Sequence, residues 1–188
     1  MKRKTFLTLV AAPFISAALS FGETKTDKNK MLIVYFSWSG NTRRLAQTIK
    51  DETGADILEV VPETAYPADY NQTVAIAKKE VDAKFLRPIK NANANLADYD
   101  VIFVGSPNWW GTISSPIRSF LAQNDFSGKK IVPFMTHEGS RMGRAESDIK
   151  KICANSTLLE ALPIRGGSVG SAKKSVQNWL AKVGIAKK

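Results

Sequence analysis

Cysteine and histidine are nearly absent from this chain of 188 residues, which has one of each, Cys153 and His137. A single cysteine cannot form an intrachain disulfide, and it cannot build a cysteine-based metal cluster. A single histidine excludes a multi-histidine metal site, and a cysteine–histidine nucleophilic pair would exist only if these two residues met in the fold. The composition therefore excludes many hydrolase mechanisms, and we expect no metal site. Cys153 itself falls on the apolar stripe of a predicted helix, which indicates a core position.

Two common phosphate-binding motifs are also missing. The sequence has no G-x-G-x-x-G, which disfavours a dinucleotide-binding site, and no G-x-x-x-x-G-K-[ST], which disfavours a nucleoside triphosphate site. Any phosphate that this protein binds must be held by a different set of donors.

Acidic residues are outnumbered, with 17 Asp and Glu against 27 Lys and Arg, and the formal net charge is +10. Such a balance is typical of proteins that meet nucleic acid, an anionic membrane or an acidic partner. The basic residues are scattered, however, and we find no nucleic-acid motif, so we expect no nucleic-acid partner. A charged surface that serves solubility explains the excess equally well.

The N-terminus has the pattern of a targeting segment. Residues 2–4 are basic and are followed by an apolar run, residues 6–19, that is too short for a comfortable membrane span. The pattern predicts a signal peptide over residues 1–22 and a polar tether over residues 23–30, with no stable membrane span after cleavage. An uncleaved anchor helix is the alternative.

The basic pair in this segment suggests an export route. Arg3-Lys4-Thr5-Phe6-Leu7 resembles a relaxed twin-arginine signal, which is used by proteins that cross the membrane folded. We therefore expect an exported protein, periplasmic or extracellular, that crosses the membrane folded and takes with it any charged ligand bound in the cytoplasm.

Strand-length apolar runs alternate with helical patterns along residues 31–188. Predicted strands occupy residues 32–36, 57–61, 99–105 and 130–135 and part of 158–164. Helical patterns follow each of them. The alternation predicts one domain with a three-layer, doubly wound α/β fold and a five-stranded parallel sheet, in which ligands bind outside the carboxyl ends of the strands.

Three segments follow predicted strands at that end: residues 37–42, 106–112 and 136–143. In the first, hydroxyls, an asparagine and turn amides gather where a strand gives way to a helix N-terminus, an arrangement that favours an anion. The donors suit a monoester phosphate, although a plain helix cap at Ser39 or Asn41 explains part of the pattern.

The second segment holds adjacent tryptophans, Trp109 and Trp110, between Pro107 and Gly111. Two tryptophans in a Pro/Gly segment at the ligand end of a sheet indicate a flat surface for an aromatic ring. Packing against the neighbouring helix is the alternative.

These motifs together resemble those of the flavodoxin family, in particular its short-chain members. They are Tyr-Phe-Ser-x-x-Gly-Asn-Thr at residues 35–42, Trp-Trp-Gly-Thr at residues 109–112 and Thr-x-x-Gly-Ser-x-x-Gly at residues 136–143. The resemblance implies a flavodoxin-like sheet of order 2-1-3-4-5 and noncovalent FMN.

The resemblance also assigns site residues. The phosphate would be held by Ser37, Trp38, Ser39, Gly40, Asn41 and Thr42. The flavin ring would be bordered by Pro107, Asn108, Trp109, Trp110, Gly111, Thr136, His137, Glu138, Gly139, Ser140 and Arg141. Tyr66 and Tyr70 are weaker candidates for the other face of the ring.

The net charge of this chain differs from that of typical electron-carrying members of the family. Electron-carrying flavodoxins are typically acidic, whereas this chain is basic, and Arg141 and His137 fall in a segment expected to face the flavin. A cation there would stabilise the reduced, anionic flavin and make the midpoint potential less negative. A solvated loop charge at Arg141 and a surface histidine at residue 137 are the alternatives.

Three functions remain compatible with the sequence. The first is an exported FMN protein that carries electrons between protein partners, for which acidic proteins are one candidate class. The second is an FMN-dependent NAD(P)H:quinone-type reductase. The third is a non-redox binding module with a basic surface.

Overall fold

The structure, a computed structural model, describes residues 30–91 and 94–185. The predicted signal peptide and almost all of the predicted tether lie outside these residues. No helix of the described part is long and apolar enough to span a membrane. The described residues also contain no group of three or more histidine, cysteine or acidic residues that could hold a metal ion.

Short apolar runs form the strands of one sheet. The strands are β1 (Met31–Tyr35), β2 (Asp56–Glu59), β3 (Val101–Trp109), β4 (Thr112–Ile113), β5 (Lys130–His137), β6 (Thr157–Leu158) and β7 (Leu162–Arg165). The order is β2-β1-β3-β5-β6, with β7 also beside β5, and these pairings are all parallel. This order confirms the predicted parallel, doubly wound sheet. β4 pairs only with β3 and lies off this path, so it does not alter the order.

Helices cover both faces of the sheet. They are α1 (Asn41–Thr53), α2 (Tyr70–Asp82), α3 (Ser115–Ala122), α4 (Ala145–Ile152) and α5 (Lys173–Lys182), with a 3-10 helix at Gly166–Ser171 before α5. Neighbouring strand residues point to opposite faces. Ile33 packs in the cluster that contains Leu45 of α1, whereas Val34 packs in the cluster that contains Ile117 of α3. This alternation makes the three layers.

The predicted fifth strand is two short strands, β6 and β7, rather than one. Leu159 still donates to the carbonyl of Ile131, but the carbonyl of Glu160 accepts from the Trp179 indole at 2.8 Å. Because this carbonyl is bonded to a side chain of α5, the ladder is interrupted before β7 resumes beside β5.

The outer edge near β2 is covered by the segment that follows α2. Lys90 donates to the carbonyl of Val61 and Glu63 donates to that of Pro88, while the side chain of Asn91 bonds the backbone of Glu59 and Val61. These bonds satisfy backbone groups that an edge would otherwise leave open.

Cys153 lies in the core, as expected from its position on an apolar stripe. Its side chain is buried in the cluster under α3 and α4. Burial raises the pKa of its thiol to about 12, so the thiol stays protonated.

Candidate functional site

A cleft of about 670 Å³ opens at the carboxyl ends of the strands. It lies between the start of α1, the end of β3, the end of β5 and one face of α2. The predicted site residues that line it are Trp38, Ser39, Asn41, Pro107, Asn108, Trp109, Trp110, Gly111, Thr136, His137, Glu138 and Ser140. The sheet topology thus brings all three predicted segments to one cavity.

The start of α1 presents backbone donors to this cleft. Gly40 adopts a left-handed conformation with φ of 88°, and Ser37 Oγ accepts its amide at 3.1 Å. The first helical bond runs from the amide of Arg44 to the carbonyl of Gly40. The amides of the three residues between them therefore have no partner within the helix and can bind an anion.

A positive charge in the first turn of α1 is already paired. Arg43, in the first turn of α1, donates through Nε to Glu59 at 3.0 Å and also through its second nitrogen to the same carboxylate. Tyr35 donates to Glu59 as well, at 3.0 Å. An anion at this helix start would thus meet neutral donors, which agrees with the expectation for a monoester phosphate.

Two predicted phosphate ligands have their side chains directed elsewhere. Thr42 is buried, with its Oγ1 2.8 Å from Oγ1 of Thr136, and its side chain does not line the cleft. Ser37 is buried as well, and its hydroxyl holds the turn. Direct contact of these hydroxyls with a phosphate stays a prediction; in the structure the Ser37 hydroxyl bonds the turn and the Thr42 hydroxyl bonds Thr136 at the end of β5.

The predicted segment 106–112 is not a loop. β3 continues through it to Trp109 and returns as β4, with Trp109 opposite Thr112. The two turn residues, Trp110 and Gly111, have φ of 51° and 81°. Two positive φ values are the signature of a type I′ turn, whose twist suits a tight hairpin.

The two tryptophans have different surroundings. Trp109 is half-buried and packs edge-on against Phe36 and Tyr66, with ring centroids 5.6 and 4.8 Å away. Trp110 is 48% exposed, and its indole donates to the carbonyl of Val74 on α2 at 3.2 Å. Both line the cleft. Trp110 is the tryptophan that contacts a helix, and a flat surface for an aromatic ring stays a prediction.

Asn108 joins the hairpin to the segment after β5. Its Nδ2 donates to the carbonyl of Arg141 at 2.8 Å, and its Oδ1 accepts from the amide of Gly111 at 3.0 Å. The amide of Arg144 donates to the carbonyl of Gly111 at 2.7 Å. A Cβ on Gly143 would lie 2.3 Å from that same carbonyl oxygen, so glycine permits this close approach.

His137 and Glu138 provide the titratable groups of the cleft lining. Nδ1 of His137 accepts from the amide of Gly139 at 2.9 Å. The pKa of His137 is lowered, first by burial and then by the positive charge of Arg141. Because Nδ1 accepts a hydrogen bond, the neutral imidazole carries its proton on Nε2.

Arg141 is exposed, and its side chain does not line the cleft. Its φ of 52° places the residue in the left-handed region, and its carbonyl is bonded to Asn108. Gly139 is exposed with φ of 149°, and neither it nor Gly40 is among the lining residues. The carboxylate of Glu138 lies in the lining instead, 3.6 Å from Arg165.

One wall of the cleft was not predicted. It is the face of α2 that carries Thr73, Val74 and Ala77. Gly166 also lines the cleft, and a Cβ there would lie 2.3 Å from Oε1 of Glu138. The apolar periodicity of α2 gave no means of distinguishing a cleft wall from a core-facing stripe.

Of the two tyrosines considered for the second face of the ring, only Tyr70 lines the cleft. Tyr70 is 66% exposed, and its ring centroid is 6.2 Å from that of Trp38. Tyr66 is buried beneath Trp109 and does not line the cleft. Its placement on the ring face was therefore wrong.

An open-ended α/β sheet with an anion site and aromatic walls at its carboxyl edge defines a nucleotide- or flavin-binding class of protein. The sequence profile of the flavodoxin family matches residues 30–183. The chain belongs to the flavodoxin family.

Similar proteins agree with this assignment. A provisionally named flavoprotein from Bacteroides eggerthii is 28% identical, with a TM-score of 0.74 over 84% of this chain and 99% of that one. A flavoprotein from Lactobacillus acidophilus, solved in complex with FMN, is 27% identical, with a TM-score of 0.63 over 80% of this chain and 98% of that one.

A curated relative has an enzyme name. The NAD(P)H dehydrogenase (quinone) of Rhizobium rhizogenes is 30% identical over 134 residues, which are 64% of this chain and 62% of that protein. The chain thus spans about six tenths of the length of this curated relative.

Proposed function

We propose that this protein binds FMN noncovalently in the cleft and carries electrons between protein partners. The observation that carries the proposal is the continuity of one cavity, in which free helix amides at the start of α1 lie at one end and tryptophan side chains form the walls. The flavoprotein of Lactobacillus acidophilus with FMN bound supports the choice of this flavin.

The donor set fits a flavin monophosphate. Gly40 and Gly111 leave open space where a Cβ would stand, so a ligand can approach both turns closely. Amides at the start of α1, with Ser39 and Asn41, would hold the phosphate, and Trp38 and Trp109 would contact the ring. When bound, FMN supplies one- and two-electron transfer, while these residues orient it and exclude water.

His137 would present a hydrogen-bond donor to the ligand. Because its Nδ1 accepts from Gly139, the Nε2–H of the neutral imidazole is available on the cleft side. Glu138 would place a negative charge in the same lining.

Absorbance spectroscopy tests the proposal directly. When FMN is added to the apoprotein, binding should quench the fluorescence of the flavin and shift its visible absorbance bands. Riboflavin should bind more weakly, because it lacks the phosphate that the start of α1 would hold. Equal affinity for the two flavins would contradict the assignment of the anion site.

The alternative is an NAD(P)H:quinone-type reductase, which the name of the Rhizobium rhizogenes relative favours. The two functions differ in turnover. Steady-state oxidation of NADH or NADPH with benzoquinone by the FMN-loaded protein would support the reductase. Slow oxidation of either nucleotide, together with fast electron exchange with redox proteins, would support the carrier.

We also propose that the protein acts outside the cytoplasm and that acidic redox proteins are among its partners. The basic and then apolar residues 2–19 support export, and the net charge of +7 that residues 23–188 carry supports acidic partners. Electron exchange should then slow as salt rises, since screening weakens attraction between opposite charges.

A further inference from the structure

A buried charge pair lies behind the tryptophan wall of the cleft. Glu80 on α2 and Arg87 after it have side chains only 8% and 12% exposed, with Arg87 Nε 2.8 Å from Glu80 Oε1. Tyr66 donates its hydroxyl to Glu80 Oε2 at 2.5 Å. The guanidinium of Arg87 also stacks on the Tyr66 ring, 3.9 Å from its centroid.

This cluster holds residues 64–67, a segment that contacts two of the three tryptophans that line the cleft, Trp38 and Trp109. The Tyr66 ring packs against Trp109 at an interplanar angle of 86°, and the carbonyl of Pro67 accepts from the Trp38 indole at 3.0 Å. Arg87 fixes the start of the segment by donating to the carbonyl of Thr64 at 2.8 Å. One short segment therefore contacts two walls of the same cavity.

Stability alone does not account for the pair. Replacing a buried ion pair by apolar residues of similar volume is often neutral or stabilising. A planar, stacked and forked arginine does, however, fix the geometry of its neighbours more tightly than an apolar side chain would.

We propose that residues 64–67, held by Glu80 and Arg87, set the separation and tilt of Trp38 and Trp109 and thereby the width of the flavin site. Glu80, Arg87 and Tyr66 are positioning residues in this arrangement: they act through the tryptophans and do not line the cleft. The inference rests on the proposed binding of FMN.

The chain offers a matched control for the test. Tyr99 donates its hydroxyl to Asp56 Oδ2 at 2.8 Å, and the ammonium of Lys30 lies 4.7 Å from the centroid of its ring. Asp56 begins β2 and Tyr99 precedes β3, so this group lies at the amino ends of the strands, away from the cleft. Tyr99→Phe thus removes the same kind of hydrogen bond without touching the tryptophan wall.

The first variant is Glu80→Leu/Arg87→Met, which replaces the pair by apolar side chains. We expect FMN to bind about tenfold more weakly, equivalent to about 1.4 kcal/mol, and the near-ultraviolet circular dichroism of the apoprotein to change. Tyr66→Phe, which keeps the ring but removes the hydroxyl, should weaken FMN about threefold, as the loss of one hydrogen bond predicts. Tyr99→Phe should leave FMN affinity within twofold of the wild type.

Wild-type FMN affinity and an unchanged apoprotein spectrum in Glu80→Leu/Arg87→Met would overturn the inference. If that variant does not fold, Tyr66→Phe tests the inference instead. Weaker FMN binding would support the inference, and wild-type affinity would overturn it. If wild-type protein fails to bind FMN, the proposed function is wrong, and the apoprotein spectra still test whether the cluster positions the tryptophans.

Discussion

At the residue scale, Glu138 and Arg141 belong to one segment but differ in whether they line the cleft. The Glu138 carboxylate lines the cleft, whereas the Arg141 side chain does not. A carboxylate beside the flavin opposes the gain of negative charge on reduction. The expectation of a less negative midpoint potential rested on Arg141 and stays a prediction, with Glu138 acting against it.

Glu138→Gln should raise the midpoint potential of the bound flavin. Removing a negative charge from the lining favours the reduced form, and for a one-electron step each tenfold preference is about 59 mV. We expect a shift of tens of millivolts in a dithionite titration with reference dyes. Arg141→Ala should shift the potential less and in the negative direction.

Glu146→Gln is the matched control for that titration, since Glu146 is an exposed glutamate on α4. It should leave the potential unchanged. A shift as large as that of Glu138→Gln would show that overall charge, rather than the cleft lining, sets the potential.

His137 should make stability depend on pH. Burial, aided by Arg141, lowers its pKa, so the unfolded state binds the proton more tightly than the folded state. The free energy of unfolding should therefore fall as pH decreases through the usual histidine value of about 6.5. Above that value this contribution is fully present.

His137→Gln should flatten this dependence, because glutamine has no titrating group. Urea denaturation of apoprotein between about pH 5 and 8 measures the effect. Since His137 is the only histidine in the chain, an equal decline in the variant below about pH 6.5 would assign the effect to groups other than histidine.

Individual residues of the site could be predicted only in part from the sequence. Asn41 and Trp109 were found because spacing and family motifs place them at the carboxyl end of the sheet. Tyr66 could not be placed, because its burial depends on Glu80 and Arg87, which are 14 and 21 residues further along the chain. A tyrosine in a polar segment gives no sign of such partners.

At the element scale, the β3–β4 hairpin carries the tryptophan wall. It is attached to α4 as well as to the sheet: Thr112 donates to Asp148 at 2.6 Å, and Asp148 also pairs with Arg118. The pKa of Asp148 is lowered by these hydrogen bonds and charges, although burial opposes them. A rigid hairpin gives the flavin site a fixed wall.

Gly143→Ala should displace this hairpin. The added Cβ would lie 2.3 Å from the carbonyl oxygen of Gly111, and φ at residue 143 is 54°. We expect a loss of about 2–3 kcal/mol in the free energy of unfolding, from strain together with the steric clash, and weaker FMN binding. Urea denaturation and flavin titration measure the two effects.

Gly128→Ala separates strain from the clash. Gly128 has φ of 73° but open space where a Cβ would stand. It should cost about 1 kcal/mol and leave FMN affinity unchanged. Equal losses in the two variants would mean that the contact with Gly111 does not matter.

The hairpin also shows why the bounds of the elements were hard to predict. Val101 to Val104 form a continuous apolar run, which predicts a buried strand. Tight hairpin turns usually contain asparagine or glycine at the first turn position, and tryptophan at residue 110 hides the turn. The α2 wall was missed because Val74 and Ala77 have the spacing of an ordinary packing face.

At the scale of the whole molecule, the order of the strands was predicted from the resemblance to the flavodoxin family, whereas the three layers were predictable because alternating apolar runs allow few topologies. The shared cavity followed from the same argument, since parallel strands bring their carboxyl ends together. The wall of the cleft that α2 forms could not be predicted in this way. It depends on how α2 lies against the β3–β4 hairpin, which is distant in sequence.

Export of the folded, FMN-loaded protein is a prediction at this scale. Arg3→Gln/Lys4→Gln should prevent passage through a twin-arginine route and leave unprocessed, flavin-containing protein inside the cell. The matched control is Lys25→Gln/Lys28→Gln, which removes the same charge from the predicted tether. Normal processing in cells that lack the folded-protein route would contradict the prediction.

The segment that covers the sheet edge beside β2 affects how this protein aggregates at high concentration. Residues 88–91 lie where a neighbouring molecule would otherwise add a strand, and Pro62 and Pro88 at that edge have no amide to offer. Strand-by-strand growth into fibrils therefore has no template along residues 59–63. Concentrated solutions should resist amyloid-type aggregation from this side of the sheet for as long as the 88–91 segment stays bonded.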